Sequence, residues 1–479
     1  MSNGVIKSTF SLLILLAIGP GTLVSGQVSS ASELSFSDLP EFEVPEPKRV
    51  ELDNGMVVML LEDHELPMVR AVARIRTGAR YEPADKVGVA SLTGLVMRTG
   101  GTQALGSDDL DDFLESRAAN VSSSIDGSYG SASMNCLKDD FPEVLNVFRD
   151  MLREPAFEER RLGVAVNQFM AGISRQNDDP MEIMSREFDE IVYGPESPYA
   201  RGPTFSTIGS ITRSDLISWH GRYYYPNNVI LGLIGDFDSD EVLRMVDSAF
   251  GDWPRGTVED VREVFYEREA NPGVYYVEKN DMTQSNIKVG HLGIKRDNPD
   301  YYAVEVLNQV FSGSSSSRLY SSVRSEKGLA YAVVGGVGSN WDYPGTFNMW
   351  ITTKTETTGE GIDALLEEAQ NLGAKPPSEE EVQKAKKSIL NSFIFNVDSR
   401  AKVLSQQIIF EYYGFSLDWL ARYREAIENI TLEQVQAVAK KYIHPKKFAI
   451  LVVGPKGGLD RPLTDFGAVT VVDISIPNP

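Results

Sequence analysis

Ile211-Thr-Arg-Ser-Asp-Leu-Ile-Ser-Trp-His-Gly-Arg-Tyr-Tyr-Tyr-Pro226, running on to Val229-Ile-Leu-Gly-Leu-Ile-Gly235, occurs a second time in altered form. The second copy is Ile430-Thr-Leu-Glu-Gln-Val-Gln-Ala-Val-Ala-Lys-Lys-Tyr-Ile-His-Pro445, running on to Phe448-Ala-Ile-Leu-Val-Val-Gly454. The copies align without a gap at an offset of 219 residues, from Thr212 to Thr431. Ile211/Ile430, Thr212/Thr431, Tyr223/Tyr442, Pro226/Pro445 and Gly235/Gly454 are identical, and Leu216/Val435 and Leu233/Val452 stay apolar. Each copy predicts a Thr-capped helix, a Pro that stops it and a buried closing strand. Two homologous halves of about 220 residues follow, with the polar segment 251–272 as the linker between them.

The rest of the chain supplies mixed elements. Asp53-Asn54-Gly55 before Met56–Leu61 is a hairpin signal. Val69–Ile75 alternates as a strand, Gly88–Met97 is helical, and Ser107 is placed to cap a helix bearing Leu110, Phe113 and Leu114. Strands at Val121–Ile125 and Tyr129–Leu137 precede a helix at Asp139–Leu152. Strict βα alternation is lacking, so the expected class is α+β, with antiparallel sheets covered by helices. The expected division is a signal peptide at 1–26, an extended Ser/Glu/Pro-rich leader at 27–46, halves at 47–250 and 273–479, and the linker at 251–272. Lys7, the apolar run Phe10–Ile18 and the small residues Val24-Ser25-Gly26 give the signal its three parts and predict export to the periplasm or medium.

The chain has 479 residues and a formal net charge of −22. An acidic surface without clustered Lys and Arg argues against nucleic acid as a partner and is compatible with basic peptide ligands, although solubility alone also explains it. No segment after the signal approaches the ~20 apolar residues of a membrane span. Cys136 is the only cysteine and falls in an alternating run, which makes it a small apolar strand residue.

Residues 88–102 read Gly-Val-Ala-Ser-Leu-Thr-Gly-Leu-Val-Met-Arg-Thr-Gly-Gly-Thr. This resembles the metal helix of the insulinase/pitrilysin zinc peptidases, G-[LV]-A-H-x-x-E-H-x-x-x-x-G-T, in which two His one turn apart hold zinc and the Glu activates water. Ser91 and Leu95 stand at the His positions and Gly94 at the Glu position. None of the three side chains binds Zn²⁺ or takes a proton. The family's third ligand is a Glu some 75–80 residues further on, yet no Glu occurs between Glu159 and Glu182. The resemblance extends through Gly78-Ala-Arg-Tyr-Glu82, Tyr193–Tyr199, Tyr225-Pro-Asn-Asn228, Ser312–Tyr320 and Arg324-Ser-Glu-Lys-Gly-Leu-Ala-Tyr331, covering nearly the whole mature chain. It implies two α/β sandwich domains forming half of a clamshell, with a partner chain completing a peptide chamber.

The resemblance also implies a role for Arg324 and Tyr331. At this spacing, family members reach across the chamber and donate to the substrate carbonyl or its oxyanion. A guanidinium and a phenol suit that task, since both donate and Arg stays charged. The competing reading makes Tyr331 strand packing and Arg324 an ion-pair partner of Glu326. His64-Glu65 matches the start of H-E-x-x-H, but Met68 occupies the second His position and Pro67 breaks the helix. His64, His220, His291 and His444 are therefore structural or surface residues, and no metal is expected in this chain. Ser312–Ser317 lacks the Lys-Ser/Thr ending of a phosphate loop and is the turn before a helix. Ser91 has no neighbouring base or nucleophile elbow.

The leading expectation is a zinc-less subunit of an exported two-subunit peptidase, paired with a zinc-bearing H-x-x-E-H subunit. A purely structural or peptide-binding protein, and a self-sufficient hydrolase with a different site, are the alternatives.

Overall fold

Asn54 and Gly55 turn the chain at the first hairpin. Gly55 adopts φ +82°, and the Leu52 N–H donates to the Met56 carbonyl at 2.9 Å. The strands it joins, β1 (Lys48–Glu51) and β2 (Val57–Glu62), pair antiparallel from Glu51↔Val57. The computed structural model describes residues 45–257, 266 and 271–477. The signal, nearly all of the leader and much of the linker lie outside the described residues.

The first sheet adds β3 (Met68–Ile75), β4 (Asn120–Ile125), β5 (Gly130–Leu137) and β6 (Val229–Gly235), in the order β1-β2-β6-β3-β5-β4. The second comprises β7 (Gly273–Glu278), β8 (Gln284–Leu292), β9 (Ile294–Lys295), β10 (Val333–Asn340), β11 (Pro344–Lys354), β12 (Ala449–Gly454) and β13 (Val469–Val471), in the order β13-β7-β12-β8-β11-β10-β9. The repeat occupies the same place in each. Capping boxes at Thr212 and Thr431 start the helices Arg213–Tyr223 and Leu432–Tyr442. The strands that follow, β6 and β12, then insert between the first two long strands of their sheets. Insertion makes the sheets mixed rather than purely antiparallel: β6 runs parallel to β2 and antiparallel to β3, and β12 does likewise with β7 and β8.

One face of each sheet is buried under helices of its own half, giving two separate apolar cores. The opposite faces are covered by exchange. Ile183, Met184, Phe188 and Val192 of the helix Pro180–Tyr193 pack on Val277, Leu451 and Val453 of the second sheet. Leu404 and Ile408 of the helix Arg400–Tyr413 pack on Val57, Met59, Leu61, Ile230 and Ile234 of the first. Gly232 lets that helix approach closely, since a Cβ there would lie 2.4 Å from Ile408 Cδ1. Tyr193 Oη donates to the Pro344 carbonyl, Tyr412 Oη donates to the Ser128 carbonyl, both at 2.8 Å, and Arg49 pairs bidentately with Glu411. The described residues accordingly belong to one compact unit.

One local expectation changes in detail and another holds. Ser107 does not cap its helix; its hydroxyl donates to Glu158 at 2.5 Å, and Gly106 precedes the first turn. Cys136 is buried on β5, where burial pushes its thiol up to about 12.

Candidate functional site

Glu82 organises the helix Val89–Thr99. Its carboxylate accepts the N–H groups of Gly88 at 3.0 Å and Ala90 at 2.7 Å, supplying acceptors to amides that a helix start leaves unpaired. Burial raises the Glu82 carboxyl above its ordinary range, opposed by those two amides and by Arg201. The final Glu of Gly78-Ala-Arg-Tyr-Glu82 is thus a capping residue. Arg80 in the same motif is buried and forms an ion pair with Asp342, between β10 and β11, which ties the halves together.

Ser91 and Leu95 lie one turn apart on this helix and are both partly exposed. The Ser91 hydroxyl approaches the Ile125 carbonyl at 3.5 Å, and Leu95 packs against the first core. Gly94 is buried against β4, where a Cβ would meet Ile125 N at 2.4 Å and the Ser124 carbonyl carbon at 2.7 Å. The helix has therefore settled where no side chain at 94 fits. The helix Glu159–Ser174 packs on it and, at the third-ligand spacing, carries Met170, Ala171, Gly172 and Ile173. Among the described residues no group of three or more His, Cys, Asp or Glu is placed to hold a metal ion.

Each His has a structural partner or setting. The His64 ring bonds Asp236 at 2.6 Å, which holds its pKa above the usual value, though the pair is exposed. His220 bonds the Leu152 carbonyl at 2.9 Å, and burial brings it down to about 4. His291 bonds the Leu292 carbonyl and accepts the His444 N–H, and burial also brings it down to about 4. Ser312–Ser317 separates the helix Tyr301–Ser312 from the turn Arg318–Tyr320.

Arg324 and Tyr331 meet each other. The guanidinium of Arg324, on the helical turn Ser321–Glu326, lies 4.7 Å from the Tyr331 ring centre and 4.8 Å from that of Tyr320. Tyr331 is 84% exposed, so it is not strand packing. Arg324 forms no ion pair with Glu326, and neither side chain has a hydrogen bond among the described residues. The structure does not bring this pair to Ser91, Gly94 and Leu95: the segment packs on the second core and the 89–99 helix on the first.

Sequence reasoning missed the half-buried Asp189, on the exchanged helix Pro180–Tyr193, and the buried Lys288 near it on β8. Burial pushes Asp189 up to about 6 against the pull of Lys288, and lowers Lys288. Only the exchange brings them together, and no local signal predicts it.

Two α/β halves of one topology, with a helix at the metal-helix position that lacks ligands, define an insulinase-type fold without its metal centre. The Insulinase (Peptidase family M16) model matches residues 57–196 and the Peptidase M16 inactive domain model matches residues 210–389. The chain belongs to the insulinase family. It is 23% identical over 417 residues to the uncharacterized zinc protease YmxG of Bacillus subtilis, covering 86% of this chain and 99% of that one. It is 22% identical to the non-peptidase homolog YmxG of Helicobacter pylori, covering 89% and 95%. The crystal structure of a peptidase M16 inactive domain from Pseudomonas fluorescens superposes with a TM-score of 0.77 at 24% identity, over 87% of this chain and 99% of that chain. The periplasmic protease PqqL of Escherichia coli gives 0.73 at 15% identity, over 92% of this chain and 49% of that one. These likenesses establish the fold. No described helix is long and apolar enough to cross a membrane.

Proposed function

We propose that this chain is the zinc-less subunit of an exported insulinase-type peptidase heterodimer. In this reading its halves, 47–250 and 273–479 joined by 251–272, complete a peptide chamber. Arg324 and Tyr331 donate hydrogen bonds to the substrate oxyanion in a partner subunit that carries H-x-x-E-H and zinc. The observation that carries the reading is the Arg324–Tyr331 pair itself. A phenol that is 84% exposed beneath a guanidinium, with no hydrogen-bond partner among the described residues, contributes little to the fold and is free to donate outward. Zinc belongs to the partner, because Ser91, Gly94 and Leu95 offer no ligand. The periplasmic location of PqqL, a structural neighbour, accords with export.

The test is reconstitution with the zinc-bearing partner. Tyr331→Phe leaves assembly and zinc content unchanged and lowers turnover roughly 10²-fold, the scale of losing one oxyanion donor. Arg324→Ala does the same and also weakens peptide binding. Full activity after both substitutions overturns the catalytic role and leaves a scaffold.

A further inference from the structure

Between the helices Tyr301–Ser312, Arg400–Tyr413 and Trp419–Asn429 lies a pocket of about 410 Å³. Its walls are aromatic. The Trp419 ring centre lies 5.1 Å from that of Tyr423, 5.2 Å from Phe410 and 6.3 Å from Trp341. Beside the lining residues Phe393 and Asn396, Ile394 and Phe395 are 40% and 65% exposed, so apolar surface continues outward along that turn.

Two hydrogen-bond donors in this lining lack acceptors. The Arg296 guanidinium lies 4.3 Å over the Trp341 ring and 5.0 Å over Tyr301, held against π faces rather than by a carboxylate. Its Nε is buried without a hydrogen-bond partner. The rest of this half-buried guanidinium makes no hydrogen bond or ion pair among the described residues. Tyr301 is only 3% exposed, and its hydroxyl has no partner among the described residues either. A donor taken out of water without an acceptor is costly, and a ligand that brings the acceptor recovers that cost. Charge narrows the choice. Glu305 also lines the pocket; burial raises its pKa and the nearby Arg296 opposes the rise, yet the two form no ion pair. A cation entering the pocket meets Arg296 and an anion meets Glu305, so the acceptor that fits is uncharged.

We propose that this pocket binds an uncharged apolar residue of a peptide, its aromatic or branched side chain against Trp419 and Tyr423 and its carbonyl oxygen accepting from Arg296 and Tyr301. The exposed Ile394 and Phe395 extend the apolar surface beyond the pocket to a flanking residue, which favours a peptide over an isolated small molecule. Arg324 and Tyr331 do not line this site, and its occupancy does not depend on a zinc-bearing partner.

The isolated full chain suffices for the test. Trp341 and Trp419 are two of five tryptophans and both line the pocket, so ligand entry alters intrinsic fluorescence. The probes are 3-phenylpropanamide, its charged counterparts 3-phenylpropanoate and 3-phenylpropylammonium, and isopentylbenzene, which keeps the shape of the amide without the acceptor. On wild-type protein the amide should give a saturable change, with each charged probe at least about tenfold weaker. The peptide acetyl-Gly-Phe-Gly-amide should displace the amide. Arg296→Met should weaken the amide at least about tenfold and Tyr301→Phe roughly three- to tenfold, while isopentylbenzene binds no more weakly to either variant. No saturable response to the amide, tighter binding of either charged probe, a peptide that fails to compete, or an amide affinity unchanged in either variant overturns the proposal. The charge series uses wild-type protein, so it decides the matter even if Arg296→Met fails to fold.

Discussion

Gly94→Ala is the sharpest test of how the metal helix is seated, because local and tertiary physics predict opposite signs. In an exposed helix interior, Gly→Ala stabilises by about 0.5–1 kcal/mol through backbone entropy. At Gly94 the new Cβ would sit 2.4 Å from Ile125 N, 2.7 Å from the Ser124 carbonyl carbon and 2.9 Å from Ser124 Cα. These are backbone atoms of β4 and cannot rotate aside. Comfortable carbon contacts begin near 3.5 Å, so the helix must withdraw by roughly 1 Å. That shift loosens Leu92 and Val96, both fully buried in the first core. Overpacking of this kind costs about 1–3 kcal/mol, and with three backbone atoms in the way the upper part of that range applies, so subtracting the propensity gain of about 0.5–1 kcal/mol leaves a net loss of about 1–2.5 kcal/mol. Gly163 is the control: it lies within the helix Glu159–Ser174, and a Cβ there meets nothing within 4 Å. Urea unfolding should show Gly94→Ala with a lower midpoint at unchanged slope, and Gly163→Ala with an equal or higher midpoint. A Gly94→Ala protein as stable as wild type would refute the seating described here.

Three further outcomes follow from the same geometry. The triple variant Ser91→His, Gly94→Glu, Leu95→His should show no chelator-sensitive peptidase activity, since residue 94 has no room and the third ligand is missing; robust activity would show that the third ligand had been misplaced. Glu82→Gln should cost about 1–3 kcal/mol in urea unfolding by weakening a buried acceptor of two helix N–H groups, and a change below 0.5 kcal/mol would reject the capping role. For pH, the fold keeps His220 and His291 neutral down to about pH 4, whereas unfolded imidazoles protonate near 6.5. The unfolded chain therefore binds more protons in that window, so this stability is full above about pH 6.5 and falls on acidification toward 4. Asp189, pushed up to about 6, works in the opposite sense, so the test is the single variant: His220→Gln should flatten the stability–pH curve between 4 and 6.5, and an unchanged curve would contradict the assignment.

The repeat was legible because its signals are local. Thr212 and Thr431 cap, Pro226 and Pro445 stop, and β6 and β12 bury every residue, all within about 25 residues of chain. The helix at 89–99 was legible for the same reason, whereas the ligand positions on it came from the family resemblance. The destinations of the helices Pro180–Tyr193 and Arg400–Tyr413 were not. An apolar stripe such as Ile183, Met184, Phe188 and Val192 states that a face is buried but not beneath which sheet, and here it is the sheet of the other half. The parallel pairing of β2 with β6 was likewise invisible, since the strands lie more than 160 residues apart. Arg324 and Tyr331 stood out by spacing, yet the contact between them and the exposure of the phenol needed coordinates.

The two ends of the proposed chemistry relate to the fold in different ways. On the 89–99 helix, stability resides in the buried side: Leu92, Val96 and Met97, together with the cap from Glu82. Ser91 and Leu95 occupy the partly exposed side, where substitution removes little buried area. Metal ligands at those two positions can therefore be absent while the helix stays in place, and Gly94 exploits the freed space by letting the backbone close onto β4. Tyr331 presents the converse case. An aromatic ring left 84% exposed gains almost nothing from its own fold, and its hydroxyl meets no acceptor among the described residues. Physical stability explains the ligand-free helix by itself, whereas it gives no reason for an exposed aromatic ring at 331, which is the feature that the proposed role of Tyr331 and Arg324 would account for.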